Sequence, residues 1–291
     1  MKFLDPTNDL VFKKIFGNEQ KKGILMSFLN AVLDFQGDKE IIEVEILNPY
    51  QAPKIEDLKE TILDIRATDK LKRNFIVEMQ KEDKGDFQKR SLYYTSKAYV
   101  AQLAEGYAYQ TLKRVYFIGI LNFDIFENKN YLSRHLILDQ HTKKQELEDF
   151  EFTFIELKKF NKTLPELESI IDKWVYFLKN AKKLDIIPNE FEQQLELKEA
   201  FFIANSFGWT TAEMEIYDYM KLKEVDRENE LKTAENKGFK MGKAQGLEQG
   251  LEKGKQEMQL NIAKNLLDVL DNETIALKTN LSIQEIQKLR K

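Results

Sequence analysis

Two acids stand in otherwise apolar surroundings in LDIRATDKLKRNFIVEMQ, residues 63–80: Asp64 and Glu78. A solvent-facing hairpin would scatter charge along one face, and a hairpin buried on both faces would carry none there. With its turn centred on Leu71, an antiparallel hairpin sets Asp64 opposite Glu78, their Cβ atoms about 5 Å apart. Carboxylates that close repel if both stay ionised in a shielded place, and a divalent cation between them removes the repulsion. Magnesium suits such a pair, because it commonly takes only one or two carboxylates and completes its shell with waters and a substrate phosphate. Gln80 lies two residues beyond Glu78 on the same face. Its amide can orient a water or a phosphate oxygen but cannot act as a base, so deprotonation would fall to a metal that lowers the pKa of its bound water. A structural reading is open as well, with Asp64 paired to Arg66 or Arg73 and Glu78 to a lysine of the following helix.

The hairpin needs elements to hold it. Alternation puts Asp64 and Arg66 with Ile76, Glu78 and Gln80, and leaves Leu63, Ile65, Val77 and Met79 on an apolar face that should meet the core. Upstream, TNDLVFKKIFG has cap candidates in Thr7, Asn8 and Asp9, an apolar stripe of Val11, Phe12, Ile15 and Phe16, and Gly17 as a stop. A second helix is expected over about 21–33, then strands over 41–47, 60–68 and 74–80. Helical periodicity follows over roughly 86–112, a buried strand over 115–123, and strands over 135–139 and 151–157. This order implies an α/β sandwich with a mixed sheet. Beyond about residue 160 three amphipathic helices are expected, within 164–181, 191–207 and 210–232.

Composition narrows the chemistry. The 291 residues include no cysteine and two histidines, His135 and His141, which excludes thiolate chemistry and leaves oxygen ligands for any metal. A net charge of −4 argues against bulk coating of nucleic acid, although Lys113–Arg114, Lys143–Lys144 and Lys158–Lys159 are local basic pairs. MKFLDPTNDLVFKKIF lacks a continuous apolar segment and no later run reaches membrane-span length, so a cytoplasmic protein without a membrane partner is expected.

In the tail, Gly238, Gly242, Gly246, Gly250 and Gly254 recur every fourth residue, a slowly drifting stripe on a helix. Each glycine costs about 1 kcal/mol relative to alanine, so the five cost about 5 kcal/mol unless packing compensates. Helical self-association into a homodimer or higher oligomer would compensate, and a flexible linker is the alternative. The last segment reads as a small helix-turn-helix-like unit with Ser282 and Glu285 at capping-box spacing and Asn280 ending the helix before. Gln284, Gln287, Lys288 and Arg290 would lie on its exposed face, and Ile262, Leu266, Ile275, Leu281, Ile283 and Ile286 inside. The expected organisation is a core over 1–160, a helical extension over 161–232, a glycine-stripe helix or linker over 233–258 and a small helical element over 259–291.

TNDLVFKKIFG, LDIRATD, IVEMQ, RSLYYTSKAYVAQLAEGYAYQTLKRVYFIGIL, DKWVYFLK and the four-spaced glycines, in that order, resemble the Rpn family of recombination-promoting nucleases, also described as PD-(D/E)XK nuclease family transposases. The resemblance implies a restriction-endonuclease-like fold, with a mixed central sheet flanked by helices and an all-helical C-terminal region, and metal-dependent cleavage of DNA. By the same resemblance Asp64 matches the acid of the second core strand, and Glu78 with Gln80 the E-x-Q form of the (D/E)XK element. Asp9 matches the acid opening the first helix, and Arg90 and Tyr94 match residues of the following helix that would contact phosphate. The wider superfamily has lysine where Gln80 stands, with Lys97 as a migrated substitute, and Lys72 holds the turn position where glycine is expected. The expectation is a Mg²⁺-dependent DNA endonuclease of low sequence specificity, with Mn²⁺ as a substitute metal, associated with recombination, mobile elements or defence. Its rival is a DNA-binding or interaction protein that keeps the fold without the chemistry.

Overall fold

The hairpin at the centre of the sheet closes through a turn that a lysine makes. In a computed structural model describing residues 2–48, 50–51, 61–103 and 108–290, strands β4 (Ile65–Asp69) and β5 (Asn74–Gln80) pair antiparallel, with Ile65 opposite Val77 and Arg66 opposite Ile76. Lys72 adopts the left-handed region at φ 62°. The Lys72 N–H donates to the Asp69 carbonyl at 2.9 Å, and the Asp69 N–H to the Arg73 carbonyl at 3.2 Å. Arg73 reinforces the turn, its backbone N–H and Nε reaching the Asp69 carboxylate at 2.8 and 2.5 Å. The register expected with glycine at this place is therefore kept with lysine.

Around the hairpin, β1 (Val44–Leu47), β6 (Val115–Leu121), β7 (Leu132–Leu136) and β8 (Phe150–Glu156) complete a six-stranded mixed sheet in the order β1-β4-β5-β6-β8-β7. β5–β6 and β6–β8 run parallel and the remaining pairs antiparallel. The two-residue strands β2 (Tyr50–Gln51) and β3 (Thr61–Ile62) pair with each other. The strand expected over 60–68 begins outside the described residues and is interrupted at Asp64, where the backbone bends.

Helices cover both faces. α1 (Asp9–Phe16), α2 (Lys22–Leu33), α4 (Ile170–Asn180) and α5 (Leu195–Ala204) pack Phe12, Phe16, Phe28, Trp174 and Phe201 with Ile65, Phe75 and Val77. On the other face α3 (Phe87–Val100) sets Phe87 with Ile76, Phe117 and Phe154. β6 is buried along its whole length, the condition for its unbroken apolar run.

Some boundaries differ from the periodicity. Leu63 joins Ile76 and Phe87 rather than Ile65 and Val77, because the bend at Asp64 breaks the alternation of side chains. α3 ends at Val100 rather than near residue 112, where Gln102 clasps the Lys113 backbone through both amide atoms at 2.8 and 2.9 Å; residues 104–107 lie outside those described. The strand expected over 135–139 is found at Leu132–Leu136, an edge strand fixed by pairing with β8 while Ile137 and Leu138 are exposed.

The chain divides into units Met1–Tyr219 and Met220–Lys291. α6 (Thr211–Leu266) is one continuous helix through all five glycines. Apart from adjoining residues and the helix's own backbone, no atom of the described residues lies within 4 Å of where a Cβ on any of the five would stand. In the second unit α7 (Asn272–Thr279) and α8 (Ile283–Leu289) bury Ile275 and Ile286 with Ala263. Ser282 and Glu285 form the capping box, and Asn280 ends α7 at φ 60°. Ile262 and Ile283, expected inside, are exposed. Arg290 does not stand free on the last helix: its guanidinium bonds Asn272 Oδ1 at 2.7 Å and the Leu270 carbonyl at 2.6 Å. No helix among the described residues is long and apolar enough to cross a membrane.

Left-handed backbone costs an L-residue about 1–2 kcal/mol, offset partly by the extra freedom glycine has when unfolded. Lys72→Gly is therefore expected to raise unfolding stability by about 0.5–1 kcal/mol in a urea titration. A loss of stability would show that the lysine side chain holds the turn.

Candidate functional site

Where the β4–β5 ladder stops, side chains take over its hydrogen bonds. Asp64 sits at the bend just before β4, and its Oδ2 accepts the Met79 N–H at 2.8 Å. In return the Asp64 N–H donates to Glu78 Oε1 at 3.1 Å. Each carboxylate is thus held by a backbone N–H at the other's strand end, a crossed clasp that fixes both acids at one point. The pairing legible from the hairpin is present, although Asp64 reaches it from a bend and not from within a strand.

α1 brings a second layer of charge. Asn8 caps the helix, its side chain accepting the Leu10 N–H at 3.1 Å, which leaves Asp9 in the first turn with its carboxylate unused for capping. Lys13 lies one turn along, and its Nζ stands 2.9 Å from Asp9 Oδ1 and 3.4 Å from Asp64 Oδ1. Phe12, Ile15 and Phe16 anchor the same turn in the core.

Burial sets the electrostatics. Glu78, 3% exposed, is pushed up to about 8 by desolvation, with the charge of Asp64 adding and the Asp64 N–H, Arg90 and Lys13 opposing. Burial likewise pushes Asp64 up to about 6, the Met79 N–H opposing and the negative charge of Asp9 adding. Burial works against the charge of Lys13 too, but Asp9 and Asp64 outweigh it and hold its pKa above the ordinary lysine value. Asp9, Asp64 and Glu78 thus gather negative charge at one place, opposed by Lys13 and Arg90.

Gln80 ends β5, and its Oε1 accepts from the Arg90 guanidinium at 3.2 Å. Arg90 is held in turn by Asp86 at 2.9 Å and lies over the Phe87 ring. α3 thus delivers a cation to the edge of the clasp through Gln80. Tyr94, one turn further along α3, packs against the second core cluster and the ring of Tyr93. Lys97 lies in the last turn of α3, and the lysine that the fold sets beside Asp64 is Lys13. The spacing of Asp9 and Lys13, four residues apart on one helical face, shows their own pairing in the sequence but not the approach of Lys13 to Asp64.

For a cation the donors at hand are the carboxylates of Asp64 and Glu78. Among the described residues no three aspartates, glutamates or histidines converge as a metal cage. Two carboxylates, one buried and one half-buried, fit a magnesium-type ion, which keeps waters and a phosphate in its shell, and fall short of the six to eight oxygens calcium prefers.

The PD-(D/E)XK nuclease family transposase model matches residues 6–234, more than half of the chain. The matched span includes the hairpin, α1 and α3. No curated protein and no solved structure matches.

The two raised carboxyl groups make a signed prediction. In the unfolded chain they lose their protons near 3.8 and 4.5, whereas the folded site holds them to about 6 and about 8. Between those limits the folded state binds more protons, so metal-free stability should be highest at low pH and fall as pH rises from about 4 to about 8. Glu78→Gln needs no proton, and should remove the slope above pH 6 and melt at least about 2 °C above the parent at pH 8 in chelator. Equal melting at pH 8 would show that Glu78 is not held protonated.

Proposed function

The chain belongs to the PD-(D/E)XK nuclease family transposases, and we propose that it is a divalent-metal-dependent DNA endonuclease whose metal is held by Asp64 and Glu78. The observation that supports this most is the crossed clasp, which holds a buried carboxylate, Glu78, and a half-buried one, Asp64, together at the family's acidic positions although taking them out of water is unfavourable. A bound Mg²⁺, or Mn²⁺ in its place, would lower the pKa of a bound water and stabilise charge developing on the phosphate.

The chain's own groups supply the rest. The Met79 and Asp64 N–H groups fix the two carboxylates, so their geometry needs no rearrangement on binding. Gln80, oriented by Arg90, offers an amide at the edge of the site, where it would position a water or a phosphate oxygen. Arg90 and Tyr94 on α3 would contact the DNA backbone, and contacts of that kind carry no base information, in keeping with low sequence specificity. The cellular setting in this reading is cytoplasmic, and the role lies in recombination, mobile elements or defence.

Self-association completes the reading. Five helical glycines cost about 5 kcal/mol, and within the described chain nothing packs against them. Close approach of a second copy's helix supplies the missing contacts. A dimer would carry two sites, one for each strand of a duplex.

Supercoiled-plasmid cleavage in Mg²⁺ tests the site. Asp64→Ala and Glu78→Ala should each slow nicking at least about 100-fold, the loss typical of a weakened metal site, with circular dichroism unchanged. Full activity in either folded variant would remove the assignment. Light scattering tests the glycine stripe separately: the full chain should be at least dimeric at micromolar concentration, and a chain ending near Ala234 monomeric. A monomeric full chain would refute the packing role.

A further inference from the structure

At position 80 the strand presents an amide where the superfamily's motif has an ammonium. The fold nevertheless brings an ammonium to the carboxylate pair, from α1. A Cβ on Gly17 would stand 2.7 Å from the Lys13 carbonyl and 3.2 Å from Ile65 Cδ1, so glycine lets the end of α1 lie against β4 at the site. The Asn8 cap and the buried Phe12 and Phe16 then fix the turn from which Lys13 extends.

Its surroundings form a gradient from inside to outside. Asp64 is 14% exposed, Lys13 38% and Asp9 50%, so the ammonium stands at the mouth, between a half-buried acid and one open to solvent. An ammonium serving Asp9 alone, as an ordinary surface pair on a helix, would have no need to reach Asp64. One serving Asp64 alone would be buried beside it and would not need Asp9. Asp9 gives the lysine an anchor that does not depend on Asp64, at the shorter of the two distances.

Resting on the nuclease reading above, we propose that Lys13 is a catalytic residue of this site: its ammonium binds a non-bridging oxygen of the scissile phosphate as a fixed positive charge, in place of the motif lysine that Gln80 replaces. Asp9 is a positioning residue that holds the ammonium at the mouth. Lys13 thus supplies from the first helix the ammonium beside the acids that position 80 does not. No proton leaves Lys13, and no covalent step involves it.

The test compares wild type, Lys13→Met, Lys13→Met with Gln80→Lys, and Asp64→Ala with Gln80→Lys. Plasmid-cleavage kinetics are measured in Mg²⁺, and Ca²⁺ binding is measured by calorimetry as a readout that needs no turnover. Lys13→Met should lower kcat about 100-fold, the scale of losing one donor to a developing charge, with KM changed less than about threefold. Ca²⁺ should bind Lys13→Met no more weakly than wild type, because a positive neighbour has been removed from Asp64. Restoring lysine at position 80 should recover at least about tenfold of kcat in Lys13→Met and none in Asp64→Ala. Cleavage by Lys13→Met at the wild-type rate, loss of its Ca²⁺ binding, or failure of lysine at position 80 to rescue it would each overturn the assignment. A wild type that binds Ca²⁺ but cuts no plasmid in Mg²⁺ or Mn²⁺ would instead refute the nuclease reading, and this role for Lys13 with it.

Discussion

A buried carboxyl group with a second, half-buried one beside it is costly to a folded protein, since each resists leaving water and each resists the other's charge. In this chain the cost is met at one place, where Asp64 accepts from Met79 and Glu78 accepts from Asp64. Much of the surrounding structure is needed to bring those four groups into register. Lys72 tolerates a left-handed backbone so that Ile65 meets Val77, and Arg73 braces the turn through Asp69. The parallel pairing of β5 with β6 places Glu78 beside Gly119, at the centre of a sheet covered on both faces. A slip of one residue in the hairpin would turn Asp64 to the wrong face, away from Glu78, so the turn and the site stand or fall together.

The same constraint explains what could be read from the sequence. Periodicity located β5 and placed α1 and α2 closely, because each has one apolar face and the core has a matching surface. Acids at matched distances from a turn were enough to bring Asp64 and Glu78 together. Strict alternation failed at Leu63, since the bend that frees Asp64 for Met79 also rotates its neighbour into the other core cluster. The end of α3 was not legible either, because it is set by a contact from Gln102 to Lys113 that no local propensity records.

Lys13 was missed for a different reason. Its spacing from Asp9 looks like an ordinary surface pair, worth a few tenths of a kcal/mol on an isolated helix. Only the packing of α1 against β4 gives that pair a second acid to face. Arg290 teaches the converse, for it reads as an exposed base on a terminal helix yet is spent on Asn272 and the Leu270 carbonyl. Whether a charged residue is free for a ligand is thus a tertiary property. In α6 the glycines pose the opposite case, a local cost with no packing partner among the described residues, and that cost motivates a partner outside the chain.

Direct titration of Mn²⁺ into the metal-free protein near neutral pH, repeated in buffers of different ionisation enthalpy, counts the protons a metal displaces. If Asp64 and Glu78 hold the metal, binding must release protons, because burial pushes both carboxyl groups up and a metal takes them deprotonated. Glu78→Gln must lose both the affinity and the proton release. Binding without proton release, or binding unchanged in Glu78→Gln, would contradict a metal held by this pair.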